Sequence, residues 1–389
     1  MAAQSNPFMS VVIPVYNGAV TIGRTLDSLL AQDYPSARYE IIVVNDGSTD
    51  DTREVVTTRE TVRYIELQRG MGIPTAQNAG LEAAKGDIYV SFNDDFQAAP
   101  DFLSQLALAY ARLDRPIGIG GILVKDESHK EKGLVAKFIA ATRDGAAPDT
   151  VNIRPAFLPG AVKRLLVYVI SGFSSMRHTG EHRPHDYQKV VELYGANASF
   201  RVSTLREIGG WDTNTAAPAI GGIEDRDICY RLQQKFPDHH FYVTRSVRIM
   251  QDLDTNDTAI SIKRYLLRPY RRGPFNYAFH IKNRLTPPLF PFPPLVLLAL
   301  LVCAVPAPIL LPLLAILLPQ LCYGWWPLRA VIERRPVYIL FPYLQAAEET
   351  MVMIGLLRGL LMHARGKLVI NLCIAMFQVS TIHHMSDWQ

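Results

Sequence analysis

The segment EIIVVNDGSTDDT, residues 40–52, constrains the fold more than any other part of the chain. Its apolar run at 41–44 is typical of a buried strand in a parallel sheet, and Asp46-Gly47 supplies a turn directly after it. The Ser, Thr and Asp residues that follow are favourable helix caps. A strand, a turn and a helix are therefore predicted, with Asp46 at the carboxyl end of the strand, where open α/β sheets bind ligands.

Strand and helix patterns alternate along the soluble part of the sequence. Strands are predicted at 10–15, 39–45, 64–67, 88–92, 117–124, 198–201, 241–244 and 247–250. Helices are predicted at 19–31, 50–58, 75–85, 101–112, 203–208 and 224–235. This alternation predicts βαβ units and an α/β fold with a mainly parallel, mixed sheet flanked by helices.

The sequence becomes strongly apolar after residue 284. No charged residue occurs in 285–326, which is long enough for about two crossings of a bilayer. A further candidate span at 337–362 contains Glu348-Glu349, so it either packs its acids inward or lies in the interface. We predict a cytosolic domain at 1–284, made of a first half at about 9–125 and a second half at about 195–272. A C-terminal α-helical membrane region at 285–389 would have two or three spans; one long, kinked span over 289–326 is the alternative.

The charge distribution indicates a membrane partner rather than a nucleic acid. The chain has 40 Lys and Arg against 36 Asp and Glu, with no long basic block, so no nucleic-acid partner is expected. The basic residues at 263–284 and the arginines after 326 predict cytoplasmic flanks that contact membrane lipids. The four cysteines show no CxxC spacing and the N-terminus has no secretory signal, so we expect an integral inner or plasma membrane protein whose catalytic domain faces the reducing cytoplasm.

Two predicted strand ends carry residues suited to a nucleotide. VVIPVYNG (11–18) ends in a loop where Pro14, Tyr16 and Asn17 lie, and Tyr16 offers an aromatic face to a base. Asp46 can accept a hydrogen bond from a ring N–H of a pyrimidine or purine. Taken singly, the first loop also fits an ordinary turn, and Asp46 also fits a helix-capping residue.

A third strand end carries the acidic triplet Asn93-Asp94-Asp95. Adjacent carboxylates repel each other and are tolerated best beside a divalent cation, which proteins commonly hold together with substrate phosphates. We predict Asp95 as a ligand of Mg²⁺ or Mn²⁺, with Asn93 and Asp94 near the ribose. An acidic surface turn is the alternative.

A fourth element, Glu224-Asp225, opens a predicted helix after a Gly-Gly pair. The amide ends and the dipole of a helix hold a carboxylate there, in position to take a proton from an incoming hydroxyl. We predict these residues as catalytic, although an N-terminal helix acid without a catalytic role has the same pattern.

Together these elements resemble glycosyltransferase family 2, the inverting enzymes with a GT-A fold. The resemblance covers about 9–272 and rests on five strings in order, VVIPVYNG, EIIVVNDGSTDDT, AQNAGLEAAKGDIYVSFNDD, GANASFRVSTLREIGGWD and IEDRDICYRL. It implies that Asp46 contacts the base of a nucleotide sugar, that Asp95 binds the metal on the diphosphate, and that Asp225 is the general base. Asn78, in the third string, would also lie on the nucleotide-sugar side. The resemblance makes 9–125 the nucleotide-binding half and 195–272 the acceptor-binding half.

The acceptor side is less sharply defined by the resemblance. Trp211 either stacks on an acceptor sugar or belongs to the core. Arg268, Arg271 and Arg272 are candidates for the acceptor or diphosphate side. The sequence has Gln251-Asp252 where the family often has a metal-binding histidine.

The family resemblance implies transfer of a sugar from a nucleoside-diphosphate sugar, with UDP-sugar preferred, to a lipid-linked or cell-envelope glycan. A processive polysaccharide synthase is a second reading, disfavoured because Gln-x-x-Arg-Trp is absent. A catalytically dead membrane scaffold or transport component is a third. A Rossmann dehydrogenase is disfavoured because the first βα loop contains no GxGxxG.

Overall fold

The computed structural model of the protein describes most of the predicted soluble part and the helices near the C-terminus. The described residues are 6–68, 70–124, 133–135, 137, 187–190, 192–193, 195–217, 221–251, 262–283, 317, 319–320 and 325–364. The polar, His-rich sequence at 177–188 predicts a loop, but its residues 177–186 lie outside the described ranges and its last two residues belong to a strand, Tyr187–Val190. The apolar stretch at 285–316 also lies outside them.

The secondary structure follows the predicted alternation closely. The strands are β1 (Met9–Val15), β2 (Tyr39–Asn45), β3 (Val62–Glu66), β4 (Ile88–Phe92), β5 (Phe96–Ala98), β6 (Pro116–Val124), β7 (Tyr187–Val190), β8 (Asn197–Arg201), β9 (Ala216–Ala217), β10 (Gly221–Gly222) and β11 (His240–Gln251). The α-helices are α1 (Ile22–Leu30), α2 (Thr52–Thr57), α3 (Ile73–Ala83), α4 (Phe102–Arg112), α5 (Val202–Glu207), α6 (Glu224–Lys235), α7 (Ile262–Lys282), α8 (Trp325–Ile332) and α9 (Phe341–Ala364). Short 3₁₀ helices occupy Ser36–Arg38 and Pro336–Leu340.

The main sheet is mixed, as predicted. In the described residues it has nine strands in the order β3-β2-β1-β4-β8-β6-β11-β5, with β7 also paired to β11. Strands β3, β2, β1 and β4 run parallel, β8 runs antiparallel to both β4 and β6, and β6 and β11 are parallel. The carboxyl ends of β2, β1 and β4 therefore lie side by side, and β8 begins beside the end of β4.

Two apolar clusters cover the two faces of this sheet. Alternation along β1 sends Val11 and Ile13 into one cluster and Val12 into the other, as the period of a strand requires. Helices α1 and α4 close the first face through residues such as Leu26 and Phe102. The second face is closed by α3, α5 and α6 through Leu81, Leu205 and Leu232.

Strand β11 differs from its prediction. Two strands are predicted at 241–244 and 247–250, but the structure has one strand over His240–Gln251. Its pairing with β6 is irregular between Val243 and Arg248, which places the apparent break inside a continuous strand. Strands β5 and β7 are additional to the prediction, because three- and four-residue strands carry little periodic signal.

The described residues fall into two compact units. The first contains the sheet with α1 to α6, and the second contains α7, α8, the 3₁₀ turn Pro336–Leu340 and α9. Within the second unit α7 and α9 pack backbone to backbone, since a Cβ on Gly273 would lie 2.2 Å from the carbonyl carbon of Gly355. The predicted domain boundary at residue 284 lies just after α7, so it does not coincide with the division between the units.

None of the helices in the described part of the chain is long and apolar enough to cross a membrane. Helix α9 has 24 residues but carries Glu348, Glu349 and Arg358, so a span is not found over 337–362. The spans predicted within 285–326 stay a prediction.

Candidate active site

Three of the predicted loops meet at one edge of the first unit's sheet. Asp46 directly follows β2, Tyr16 follows β1 and Asn93 follows β4, and these strands are neighbours. The backbone N–H of Asp46 donates to the carbonyl of Val15 at 2.9 Å, which joins the first two strand ends directly. Pro14 lies one residue earlier, inside β1, and Tyr16 is half-buried.

The loop after β1 and the loop after β2 are tied together by side chains. Asn17 has a φ of +54°, and its Oδ1 accepts a hydrogen bond from the Thr49 N–H at 2.8 Å. The Gly18 N–H donates to Thr52 Oγ1 at 2.9 Å, and the Ala19 N–H donates to Asp50 Oδ2 at 3.0 Å. The Asn17 amide thus helps to build the loop, and its predicted contact with a nucleotide sugar stays a prediction.

Asp46 holds the segment that precedes α3. Its Oδ1 accepts a hydrogen bond from the Met71 N–H at 2.7 Å, and its Oδ2 accepts one from the Gly72 N–H at 2.9 Å. Burial raises the pKa of Asp46, and these two hydrogen bonds partly oppose the shift. A carboxylate has about four lone-pair sites, so a base N–H can still be accepted beside the two amides.

Asn78 and Trp211 form a pair that connects α3 to the segment after α5. Asn78 Nδ2 donates to the Trp211 carbonyl, and the Trp211 N–H donates to Asn78 Oδ1, each at 2.8 Å. The Trp211 side chain is 5% exposed, and its ring centroid lies 5.1 Å from Tyr89 and 6.2 Å from Phe200. Of the two alternatives for Trp211, the structure therefore gives core packing rather than stacking on an acceptor sugar. The predicted role of Asn78 at the nucleotide sugar stays a prediction.

Asp94 and Asp95 form a crowded pair of acids at the end of β4. Burial, followed by the charges of Asp95 and Asp50, raises the pKa of Asp94 to about 7. The packing is tight, because a Cβ on Gly18 would lie 2.4 Å from Asp94 Oδ2. Thr25 Oγ1, on α1, donates to the Asp94 carbonyl at 2.8 Å and fixes the backbone between the two acids.

The acidic pair fits a divalent cation, because each carboxylate disfavours ionisation of the other and a cation relieves that repulsion. Mg²⁺ is commonly held by one or two carboxylates together with substrate phosphates. In the described ranges no cluster of three or more His, Cys, Asp or Glu side chains is arranged to hold a metal. Gln251, at the end of β11, pairs with Phe96, the residue after Asp95, so the position where the family often has a histidine lies in the strand next to the acids.

The predicted general base lies at the first turn of α6. A Cβ on Gly195 would lie 2.0 Å from Asp225 Oδ1, so the Asp225 carboxylate packs directly on this glycine. Gly195 lies two residues before Asn197, which pairs with Phe92 at the end of β4. Asp225 thus lies against the segment that enters the sheet beside Asn93. Glu224 is only 9% exposed and Asp225 is half-buried, so Asp225 is the more accessible proton acceptor.

The sequence patterns missed an unpaired, buried amide at the start of β8. Asn197 is 5% exposed, and its Nδ2 has no hydrogen-bond partner in the described part of the chain. A buried amide without a partner is unusual. Nothing local in GANASF marks it, because its environment depends on its register with Phe92 and on its approach to Gly121, where a Cβ would lie 2.5 Å from Nδ2.

The predicted basic residues lie on α7, in the second unit. Arg271 and Arg272 are half-buried, and Arg272 Nε has no hydrogen-bond partner among the residues described. The side chain of Arg268 lies outside the described atoms. Their assignment to the acceptor or diphosphate side stays a prediction.

Comparison with known families identifies the class of protein that this sheet edge belongs to. The sequence profile of glycosyl transferase family 2 matches residues 10–209, which is just over half of the chain. The chain therefore belongs to glycosyl transferase family 2. The matched region includes Asp46 and the Asn93-Asp94-Asp95 triplet and ends before α6.

Two curated relatives are glycosyltransferases. The chain is 25% identical over 241 residues to the glucosyl-dolichyl phosphate glucuronosyltransferase of Haloferax volcanii, covering 60% of this chain and 66% of the relative. It is 29% identical over 145 residues to the dolichyl N-acetyl-alpha-D-glucosaminyl phosphate 3-beta-D-2,3-diacetamido-2,3-dideoxy-beta-D-glucuronosyltransferase of Methanococcus voltae, covering 35% of this chain and 44% of the relative. The chain thus spans less than two thirds of the length of these relatives.

A solved structure is also similar over most of its length. The mannosyltransferase PcManGT from Pyrobaculum calidifontis, in complex with GDP-Man and Mn²⁺, covers 92% of this chain and 88% of its own, with 16% identity and a TM-score of 0.49. Because this TM-score is below 0.5, family membership rests on the sequence match.

Proposed function

We propose that the protein is an inverting glycosyltransferase that moves one sugar from a nucleoside-diphosphate sugar, with UDP-sugar as the first choice, to a lipid-linked or cell-envelope glycan at a membrane. The observation that carries this proposal is the contact between Asp225 and Gly195, because it brings a half-buried carboxylate to the strand end that bears Asn93, Asp94 and Asp95. A general base close to an acidic strand end suits transfer from a diphosphate donor, in which an acceptor hydroxyl loses a proton and the leaving group gains charge.

The chemistry follows from the position of Asp225. Its carboxylate accepts the proton of the acceptor hydroxyl as the acceptor oxygen forms a bond to the anomeric carbon. The bond from that carbon to the diphosphate oxygen breaks, and the nucleoside diphosphate leaves with the bonding electrons. Attack occurs from the face opposite the leaving group, so the configuration inverts and one catalytic carboxylate is sufficient.

The remaining acids have binding roles in the proposed reaction. Asp95, with Asp94 beside it, would hold Mg²⁺ or Mn²⁺, and such an ion neutralises charge that develops on a leaving diphosphate. Asn93 and Asp94 lie on the ribose side. Asp46 and the loop that contains Tyr16 take the nucleotide base.

The lipid-linked acceptor and the membrane location rest on two supports. Both curated relatives described above are named for dolichyl-linked acceptors. Residues 285–326 carry no charge and follow a basic segment without acids at 263–284, which is the pattern expected at a cytoplasmic membrane surface. We propose that the catalytic unit faces the cytoplasm and that membrane lipids are partners.

The experiment is a donor screen with the purified full-length protein in detergent. UDP- and GDP-sugars are supplied with Mn²⁺, Mg²⁺ or EDTA, with and without a membrane lipid extract. Release of the nucleoside diphosphate and formation of a glycolipid product are measured. We expect release that depends on one donor, the lipid extract and the metal, and a product extended by one sugar. A ladder of longer products would support a processive synthase instead, and absence of release with every donor would contradict the proposal.

A further inference from the structure

The second unit exposes apolar side chains beside a turn that carries basic residues. Val331 and Ile332, at the end of α8, are 77% and 65% exposed, and Leu328 lies on the same helix face at 50%. Ile339 and Leu340, in the 3₁₀ turn that follows, are 49% and 48% exposed. Such a concentration of exposed aliphatic residues within 13 positions is a sign of an interaction site.

The fold holds these residues outward. The opposite face of α8 is buried, with Trp326, Arg329 and Ala330 between 2% and 7% exposed. Trp326 Nε1 donates to Gln345 Oε1 at 2.6 Å, and the Arg329 guanidinium lies 5.2 Å from the Trp326 ring. Tyr338 packs against Trp326 and Phe341 in this core. The two residues after it, Ile339 and Leu340, lie outside the core and are exposed.

The same surface carries positive charge. Arg334 and Arg335 lie in the turn between α8 and Pro336–Leu340, and both are exposed. The acid of this turn, Glu333, is paired with Arg329 at 2.5 Å.

We infer that this exposed apolar and basic surface, formed by residues 328–340, docks in the headgroup region of an anionic lipid bilayer. An interfacial helix places its apolar face at the boundary between headgroups and acyl chains and its Lys and Arg among anionic headgroups. The uncharged sequence 289–324 leads directly into α8, which further supports a lipid surface as the occupant. The inference deepens the membrane part of the proposed function and needs no spanning helix among the described residues.

A fluorophore at residue 331 tests the depth of this surface. Val331→Cys is introduced into the full-length chain with its four native cysteines replaced, labelled with an environment-sensitive dye, and reconstituted in phosphatidylglycerol-containing vesicles. Val20→Cys is the matched control, because Val20 is 73% exposed and lies in the first unit. We expect a blue shift at 331, and stronger quenching by lipids with a nitroxide near the headgroup than by lipids with a nitroxide near the chain end. Position 20 should show neither effect.

The charge requirement is tested by Arg334→Gln, with the exposed Arg112→Gln on α4 as its control. Removal of one positive charge near an anionic surface should weaken docking about fivefold, measured as the lipid-dependent quenching of the label at 331. Replacing phosphatidylglycerol with phosphatidylcholine should remove most of the docking.

A second measurement uses the wild-type protein, so it does not depend on whether a variant folds. Photoactivatable phosphatidylglycerol should cross-link peptides that cover 328–340 and leave the peptide that contains Val20 unlabelled. The inference would be overturned if neither quenching nor cross-linking occurred. It would also be overturned by a blue shift that needs no lipid and grows with protein concentration, because such a shift would indicate contact with a second copy of the chain. Stronger quenching from the chain end would also overturn it, in favour of a spanning segment. Release of the nucleoside diphosphate with a water-soluble acceptor is measured separately, so a failure of docking would not contradict the proposed transferase activity.

Discussion

The polar groups in the two halves of the first unit's sheet edge differ in how far the fold supplies them with hydrogen-bond partners. In the half formed by the loops after β1 and β2, backbone N–H groups of Gly18, Ala19 and Thr49 find side-chain acceptors, and Asp46 accepts two amides. In the half formed by the end of β4 and the start of β8, Asp94 has its pKa raised to about 7 and Asn197 Nδ2 has no partner among the described residues.

Under the proposed function, this difference suits the two halves to different tasks. Loops that already make their own hydrogen bonds lose little conformational freedom when a ligand binds, which suits recognition of a base. The crowded acids carry an electrostatic cost that a cation removes, which suits the part of the site where the proposed reaction develops charge. Substitutions in the second half should therefore change the reaction, whereas substitutions in the first half should change the stability of the free protein.

The largest effect is expected for Asp225→Asn. Loss of a general base lowers the transfer rate by about 10²- to 10⁴-fold, while binding of the donor is retained because the nucleotide half is unchanged. Transfer rate and donor affinity are measured on the same preparation. Glu192→Gln is the control. Glu192 pairs at 3.0 Å with Arg226, which follows Asp225 on α6, and its substitution should have little effect. Normal transfer by Asp225→Asn would remove the base assignment.

The next effect is expected for Asp95→Asn. The substitution should weaken metal-stimulated donor binding by about tenfold or more, since a bound cation contributes several kcal/mol of charge stabilisation. Calorimetric titration of donor with and without Mn²⁺ measures the change. The exposed Asp51→Asn, at the start of α2, should bind like the wild type. If the metal stimulated donor binding equally in both variants, Asp95 would not be its ligand.

Gly195→Ala tests the contact that joins the base to the sheet. Its Cβ would lie 2.0 Å from Asp225 Oδ1, so the carboxylate has to move, at a cost of up to about 3 kcal/mol. We expect slower transfer and a lower melting temperature. Gly23→Ala is the control, because its Cβ would make ordinary contacts at 3.5 Å and alanine favours a helix over glycine by about 1 kcal/mol. A fully active and stable Gly195→Ala would show that Asp225 is free to reposition.

The smallest effect is expected for Asp46→Asn. The variant retains one acceptor oxygen but presents an NH₂ group to a backbone donor, which should lower the free energy of unfolding by about 1–2 kcal/mol. Hydrogen exchange at the Met71 and Gly72 amides should become faster without any ligand present. Unchanged exchange would mean that Asp46 does not hold this loop, and its role would then be confined to the base.

Local pattern was sufficient for most elements of the first unit. The apolar run before Asp46-Gly47 became β2 with the predicted bounds, and the acidic start of α6 at Glu224 was also predicted. These features depend on residues a few positions apart, through strand periodicity, turn preference and the helix dipole. The strand-end positions of Asp46 and the Asn93 triplet follow from the same local rules.

The outcomes for Trp211, Asn78 and Asn197 could not be obtained in this way. Asn78 and Trp211 are 133 positions apart in the chain and yet exchange two hydrogen bonds. Whether a tryptophan stacks on a sugar or fills a core, and whether a buried amide finds a partner, depends on which distant strands and helices pack around it. Short-range physical chemistry in the sequence set the strands, turns and acidic loop ends. Three-dimensional packing decided which polar groups are hydrogen-bonded within the fold and which, such as Asn197 Nδ2, have no partner among the described residues.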